Sequence, residues 1–407
     1  MLLFFATNHE HAGLLFALFA ILVTAKIMAE VFERMNQPAV VGEILAGVII
    51  GPSVLGIVQP SEIIDVFAEI GVIFLLFNVG LDVKPKSILS VGSKAVMVGV
   101  LGIFVPFVAG YWVAWLWGGS SIEAMFIGAA LVATSVGITA RVLGSLGLLN
   151  ESTSRVILGA AVIDDILGLM ILSVVSSVSQ GSINYYAIIG TVITAVIFVI
   201  VVGAVGAKIF NWLAPAIRNL KISSPFFKFG LILCLGLSFV ALYIEVAAII
   251  GAFLAGMALS EATEDNPKMR QLSHGVMEFT VPFFLVYIGM QLDITLFADL
   301  EVITYALVIT GVAIVSKMLG CGIGAINMGF KNAARVGIGM VPRGEVGIVV
   351  AQIGLGLAAI NDREFAAVLF MAVATTLIAP PFIKLLAPKR RPPEDDIHIS
   401  DVVTRIG

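Results

Sequence analysis

Two adjacent acids, Asp164 and Asp165, lie in the stretch AAVIDDILGLMILSVV (160–175), which is otherwise hydrocarbon. An ionised carboxylate in a bilayer is unfavourable by several kcal/mol, so a pair at that depth points to neutralisation by cations or protons. Successive helical residues lie about 100° apart around the axis, and the two acids therefore face different neighbours. One can pair with a fixed cation while the other faces a water-filled cavity. Lys317 is the candidate cation, midway along TGVAIVSKMLGCGIG (310–324). A structural ion pair that merely locks a bundle, or a lysine that snorkels to an interface, are the alternatives. Gly159, Ala160, Ala161 and Gly168 are small and admit close approach of other helices to the acidic stretch.

Two further polar interruptions stand out, ATSVGITA (133–140) and PRGEVGIV (342–349). Each breaks an apolar run with helix-weakening or charged residues, which predicts two broken helices. Unwound backbone at that depth needs protein or trapped water to satisfy its amides and carbonyls, and the half-helix ends carry partial charges that need partners. Thr134 and Ser135 offer hydroxyls in the first break, and Arg343 and Glu345 offer charges in the second. A kink used only for packing is the alternative at Pro342.

The elements that must position these residues are membrane helices. Of the 407 residues 59% are hydrophobic and 12% charged, with a mean hydropathy of +1.09, far from the range of a soluble globular chain. The apolar runs are mostly 17 to 25 residues long, as an α-helical span requires. They place thirteen spans near 12–33, 39–51, 64–81, 95–117, 123–143, 153–179, 184–208, 227–244, 246–260, 275–291, 302–326, 333–358 and 364–386. Lys and Arg crowd alternate loops, from Arg34 and Lys84 through Lys208 and Arg270 to Arg335, while the intervening loops hold only Arg363. The N-terminus is therefore expected outside and the C-terminus in the cytoplasm, with Lys26, Arg141, Lys317 and Arg343 inside spans. The first residues, MLLFFATNHEHAG, have no basic region, so no cleavable signal peptide is expected. Cys234 and Cys321 read as packing residues, and the net charge of −4 is uninformative.

The chain also repeats itself. VGEILAG (41–47) matches IGAFLAG (250–256), and EIGVIFLLFNVGLD (69–82) matches EFTVPFFLVYIGMQ (278–291). Both matches share an offset of 209 residues, from 47 to 256 and from 80 to 289, and the two predicted breaks share it too. Span 2 maps onto span 9, seven crossings away, so the copies are expected upside down relative to each other, a transporter architecture.

At these residues the chain resembles bacterial Na⁺/H⁺ antiporters of the second monovalent cation:proton antiporter family, its electrogenic NapA-like members in particular. QPAVVGEILAGVIIGPSVLG, VGLDVKPK, ATSVGITARVL, AAVIDDILGL and VPRGEVGIVVA carry the resemblance, with the double aspartate and the later membrane lysine as its most specific element. The resemblance implies an all-α membrane protein of thirteen transmembrane helices in inverted repeats, with two crossed broken helices beside the aspartate helix. Repeat A would cover about 12–180, a linker helix 184–208 and repeat B 227–386. Residues 388–407 would form a short cytoplasmic tail, too short to fold alone. It implies a homodimer with a dimerisation domain and a mobile core domain. It makes Asp165 the ion- and proton-binding carboxylate, with Asp164 and Thr134 near the bound Na⁺, and Asp164 the partner of Lys317. Thr134, Ser135, Arg343 and Glu345 then belong to the breaks.

The expected function is exchange of Na⁺ or Li⁺ for H⁺ across the bacterial cytoplasmic membrane, electrogenic and by alternating access, in contact with lipid and without nucleic acid or a cofactor. K⁺/H⁺ exchange and sodium-coupled solute symport are the alternatives, and a channel is a further rival. An enzyme is disfavoured, since there is no His/Cys cluster, G-x-S-x-G elbow or P-loop, and His9, His11, His274 and His398 read as loop or terminal residues.

Overall fold

The computed structural model describes residues 2–84, 92–179, 185–263, 266–292 and 299–387, and among them there is no strand. Fifteen α-helices are described: α1 (Leu2–Arg34), α2 (Ala39–Ile50), α3 (Glu62–Asp82), α4 (Gly92–Leu116), α5 (Ser121–Val132), α6 (Val136–Ser145), α7 (Ser152–Ser179) and α8 (Tyr185–Arg218), followed by α9 (Pro225–Tyr243), α10 (Ala248–Ser260), α11 (Pro267–Met290), α12 (Leu300–Gly324), α13 (Phe330–Gly339), α14 (Glu345–Gly356) and α15 (Asp362–Leu386). Ten helical segments among the described residues are long and apolar enough to cross a membrane, counting α5 and α6 as one.

Helix boundaries follow local chemistry. Ser120 and Asn361 each close a capping box, with Glu123 and Glu364 respectively, at the starts of α5 and α15. Asn266 caps α11 and Pro267 occupies its first turn, where a missing N–H has no consequence. That pair of signals starts α11 eight residues before the apolar stretch begins, so Lys268, Arg270 and His274 lie within its first turns. His274 is therefore a helical residue rather than a loop residue. His9 and His11 lie within α1, and His398 falls outside the described residues.

Helices α1 to α3 associate with α9 to α11. Helices α4 to α7 associate with α12 to α15, and α8 touches both α7 and α10. The two groups meet where α6 lies on α2 and α3 and where α15 lies on α2. Every residue of α10 is buried, as its uniformly apolar, small-residue composition requires.

The glycines singled out by the repeat form two backbone seams. Gly47 of α2 faces Gly289 of α11, and Gly80 of α3 faces Gly256 of α10. A Cβ on Gly47, Gly80, Gly256 or Gly289 would run into a facing carbonyl, of Val286, Phe253, Phe77 or Ile44 respectively. Polar contacts also join these helices. Asn78 of α3 donates to Ser273 O of α11 at 3.3 Å, and Tyr287, its counterpart in the second copy, bonds Asp65 of α3.

Candidate functional site

Both predicted breaks are present. Ala133–Ser135 separates α5 from α6, and Met340–Gly344 separates α13 from α14. The breaks touch, with Ser135 N donating to Pro342 O at 2.8 Å. Across the same junction Thr139 Oγ1 donates to Gly339 O at 2.7 Å and Thr134 Oγ1 to Met340 O at 3.4 Å. Gly344 is a glycine of necessity, because a Cβ there would lie 2.6 Å from Ser135 Oγ.

The carbonyl ends of α5 and α13 are met by two fully buried cations. Lys317 Nζ, from α12, donates to Val132 O at 2.7 Å, to Gly102 O at 2.7 Å, and to Asp164 Oδ1 at 2.9 Å. An ammonium has three N–H donors, and all three are used. The residue at 102 must be small, since a Cβ there would lie 2.5 Å from Cys321 Sγ and 3.7 Å from Lys317 Nζ. Arg343 lies inside the second break and donates to Ala133 O at 2.9 Å, to Ala313 O of α12 at 3.3 Å, and to Met340 O at 3.5 Å. Positive charge at a helix C-terminus is favourable, and each cation here also satisfies carbonyls that unwinding leaves without an intrahelical donor.

Asp164 and Asp165 face different neighbours. Asp164 is buried against Lys317. Asp165 is 6% exposed and lines a small cavity with Val136, Leu76 of α3 and Ile249, Ile250 and Phe253 of α10. Val136 is the first residue of α6, whose N-terminus no side chain caps. The carboxylate thus sits beside the positive end of a half-helix, a favourable place for an anion. The other walls are apolar, from Leu158 and Val162 of α7 itself and from α3 and α10 of the opposite helix group.

A wider cavity of about 620 Å³ opens at the C-terminal ends of α3 and α6, lined by Asn78, Asp82, Arg141, Arg270, His274 and Glu278 among others. Arg141 and Lys26, both expected inside spans, meet here at Glu278, at 2.6 and 3.3 Å. Lys26 also lies 3.7 Å from the buried Glu43. This cluster ties α6 to α1, α2 and α11 across the boundary between the two groups.

Asp164, Lys317, Thr134, Ser135 and Arg343 thus converge, with Asp165 alongside. Glu345 opens α14, and its side chain lies outside the described residues. The sequence reading missed Gly102, Thr139, Thr375 and Thr376. Thr375 Oγ1 accepts from Arg343 N at 3.1 Å and Thr376 Oγ1 donates to Arg343 O. The signal for the last two was available, as adjacent hydroxyls inside the apolar run of α15.

Comparison with known proteins matches residues 17–389 to the family described as "Sodium/hydrogen exchanger, transmembrane". The chain is 32% identical to the high-affinity Na⁺/H⁺ antiporter NhaS3 of Synechocystis sp., over 96% of this chain and 94% of that one. It is 33% identical to the Na⁺/H⁺-K⁺ antiporter GerN of Bacillus cereus, over 91% and 95%. The solved structure of the sodium proton antiporter MjNhaP1 from Methanocaldococcus jannaschii superimposes with a TM-score of 0.65 at 19% identity, covering 94% of this chain and 97% of that one, and shares the fold.

Proposed function

The chain belongs to the transmembrane sodium/hydrogen exchanger family, and from that premise we propose that it exchanges Na⁺ or Li⁺ for H⁺ across the bacterial cytoplasmic membrane by alternating access. The observation that carries this reading is the Asp164–Lys317 pair at the junction of the two breaks, with Asp165 one residue further round the same helix. Asp165 is the exchange site. Its carboxylate holds either a proton or a cation, and competition between the two is sufficient for exchange. Carboxylate and hydroxyl oxygens are hard ligands suited to Na⁺ or Li⁺, with Asp164 and Thr134 near the ion. Lys317 stays with Asp164 while that carboxylate is ionised. Release of a second proton from the Asp164–Lys317 unit makes the cycle electrogenic, two protons against one cation.

The architecture proposed for this cycle has thirteen crossings. It adds to the ten long segments the short apolar helices α2 and α10 and the broken span of α13 with α14. Repeat A (about 12–180) and repeat B (about 227–386) lie inverted around a linker helix at 184–208, with the N-terminus outside and the tail from 388 to 407 in the cytoplasm. The group containing α4 to α7 and α12 to α15 is the mobile core, and the other group forms the scaffold of a homodimer.

One second reading has a specific basis: a relative named as a Na⁺/H⁺-K⁺ antiporter favours K⁺ as an additional or alternative cation. The test is purified protein in liposomes with a pH dye inside. Adding Na⁺ or Li⁺ outside alkalinises the lumen if the proposal holds, and a response to K⁺ selects the second reading. No pH change with any cation refutes both, and repeating the assay at clamped membrane potential reads the charge stoichiometry.

A further inference from the structure

The second break is an extended segment inside the protein, and each of its backbone groups needs a partner. Val341 N turns back to Ile338 O at 3.1 Å, Pro342 has no N–H, and Pro342 O accepts from Ser135 N. Gly344 O begins α14 by accepting from Ile348 N at 3.4 Å. Both peptide groups of Arg343 go elsewhere, to α15: its N–H to Thr375 Oγ1 and its C=O to the hydroxyl of Thr376. Both threonines are fully buried.

A threonine within a membrane helix ordinarily returns its hydroxyl to a carbonyl three or four residues back. Thr375 does so, donating to Ala372 O at 3.1 Å while accepting from Arg343. Thr376 instead directs its hydroxyl out of its own helix. The Arg343 side chain, anchored in this way, reaches Ala133 O at the end of α5 and Ala313 O on α12. The neighbouring carbonyl, Val132 O, is the one that Lys317 holds. Two hydroxyls on α15 therefore fix a guanidinium, and that guanidinium shares with Lys317 the negative end of the half-helix beside the aspartates.

We propose that Thr375 and Thr376 are positioning residues for ion exchange, acting through the peptide of Arg343 to set the charge frame in which Asp164, Lys317 and Asp165 work. The inference rests on the exchange function proposed above. It assigns the cation affinity of the site in part to a helix that contributes no ligand. Valine is nearly isosteric with threonine but has no hydroxyl, and serine keeps the hydroxyl. Thr376→Val leaves Arg343 O buried without a donor. In proteoliposomes it raises the Na⁺ concentration for half-maximal exchange roughly tenfold, the equilibrium equivalent of about one lost buried hydrogen bond, with a smaller effect on the maximal rate. Thr376→Ser restores the half-saturation value.

Hydrogen exchange supplies a readout independent of transport. The Ser135 amide, bonded to Pro342 O, exchanges faster in Thr376→Val than in wild type, and Thr376→Ser returns it to the wild-type rate. If wild-type liposomes move no protons in response to any cation, the exchange function falls, and the positioning claim is then decided by the Ser135 amide alone. Half-saturation and amide exchange both unchanged in Thr376→Val would overturn the proposal, as would a fall in maximal rate that serine does not rescue. Should Thr376→Val not assemble, Thr375→Val carries the same test, because it removes the acceptor for Arg343 N–H and otherwise only a bond within its own helix, to Ala372 O.

Discussion

Asp164 and Asp165 are adjacent in sequence, yet their surroundings differ as much as those of unrelated residues. Asp164 has a full counter-charge within 3 Å, whereas Asp165 lines an apolar-walled cavity at the start of a half-helix. Asp165→Asn keeps the size and hydrogen-bonding capacity of the side chain and removes its charge. The protein is expected to remain folded and to lose all cation-driven proton movement in the liposome assay; wild-type exchange would remove Asp165 from the mechanism. Lys317→Gln leaves Asp164 buried without its cation, a change worth about 3 to 5 kcal/mol of stability unless Asp164 takes a proton. The expected outcome is a lower melting temperature in detergent and exchange of one proton per Na⁺ that no longer senses membrane potential. Adding Asp164→Asn to Lys317→Gln should recover part of the stability, because no unpaired charge remains. If the double variant is as destabilised as the two singles summed, the pair contributes nothing as a pair.

At the scale of helices, the glycine seams decide how closely the elements approach. Alanine at Gly80 or Gly256 must displace backbone rather than a flexible side chain, and overpacking of this kind typically costs about 1 to 3 kcal/mol. Gly80→Ala is expected to lower the melting temperature, while Gly236→Ala, mid-helix with open space around it, leaves it unchanged or raises it; equal melting temperatures for the two variants would show that the seam relaxes without penalty. These helices were legible in the sequence because apolar runs of membrane length and a fixed repeat offset leave strong marks. So were both breaks, through Pro342, Arg343 and the hydroxyls at 134 and 135. The partners of Arg343 were not, since the hydrogen bonds of its two terminal nitrogens all go to main-chain carbonyls, and a carbonyl carries no trace in the residue type that bears it. The early start of one helix was hidden for another reason. Helix α11 begins at Pro267, in a segment too polar for a hydropathy pattern to follow, so capping by Asn266 rather than hydrophobicity sets the boundary.

Viewed as a whole, the molecule is two helix groups joined by few contacts, and the Arg141–Glu278 ion pair is one of them. Alternating access requires relative motion of the groups, and this pair lies between α6 and α11. With both residues replaced by cysteine, a short bis-methanethiosulfonate cross-linker, which joins the thiols through disulfides, is expected to stop exchange, and reduction of those disulfides to restore it. Cys234 and Cys321 are buried and leave the reaction to the new pair. Undiminished exchange after complete cross-linking would show that the groups do not separate there.

Helix α8 is the element that touches both groups while remaining mostly exposed to its surroundings. Its apolar segment, Ile189–Phe210, has 22 residues, a length of about 33 Å against a hydrocarbon thickness of roughly 30 Å. If displacement of one group against the other tilts this rod, the tilt changes how well its length fits the bilayer. Under the alternating access proposed above, the lipid would be a mechanical participant: acyl chains that suit the upright rod would favour one arrangement of the groups, and shorter chains the other. Turnover should accordingly follow acyl-chain length in reconstituted vesicles, even at constant ion gradients.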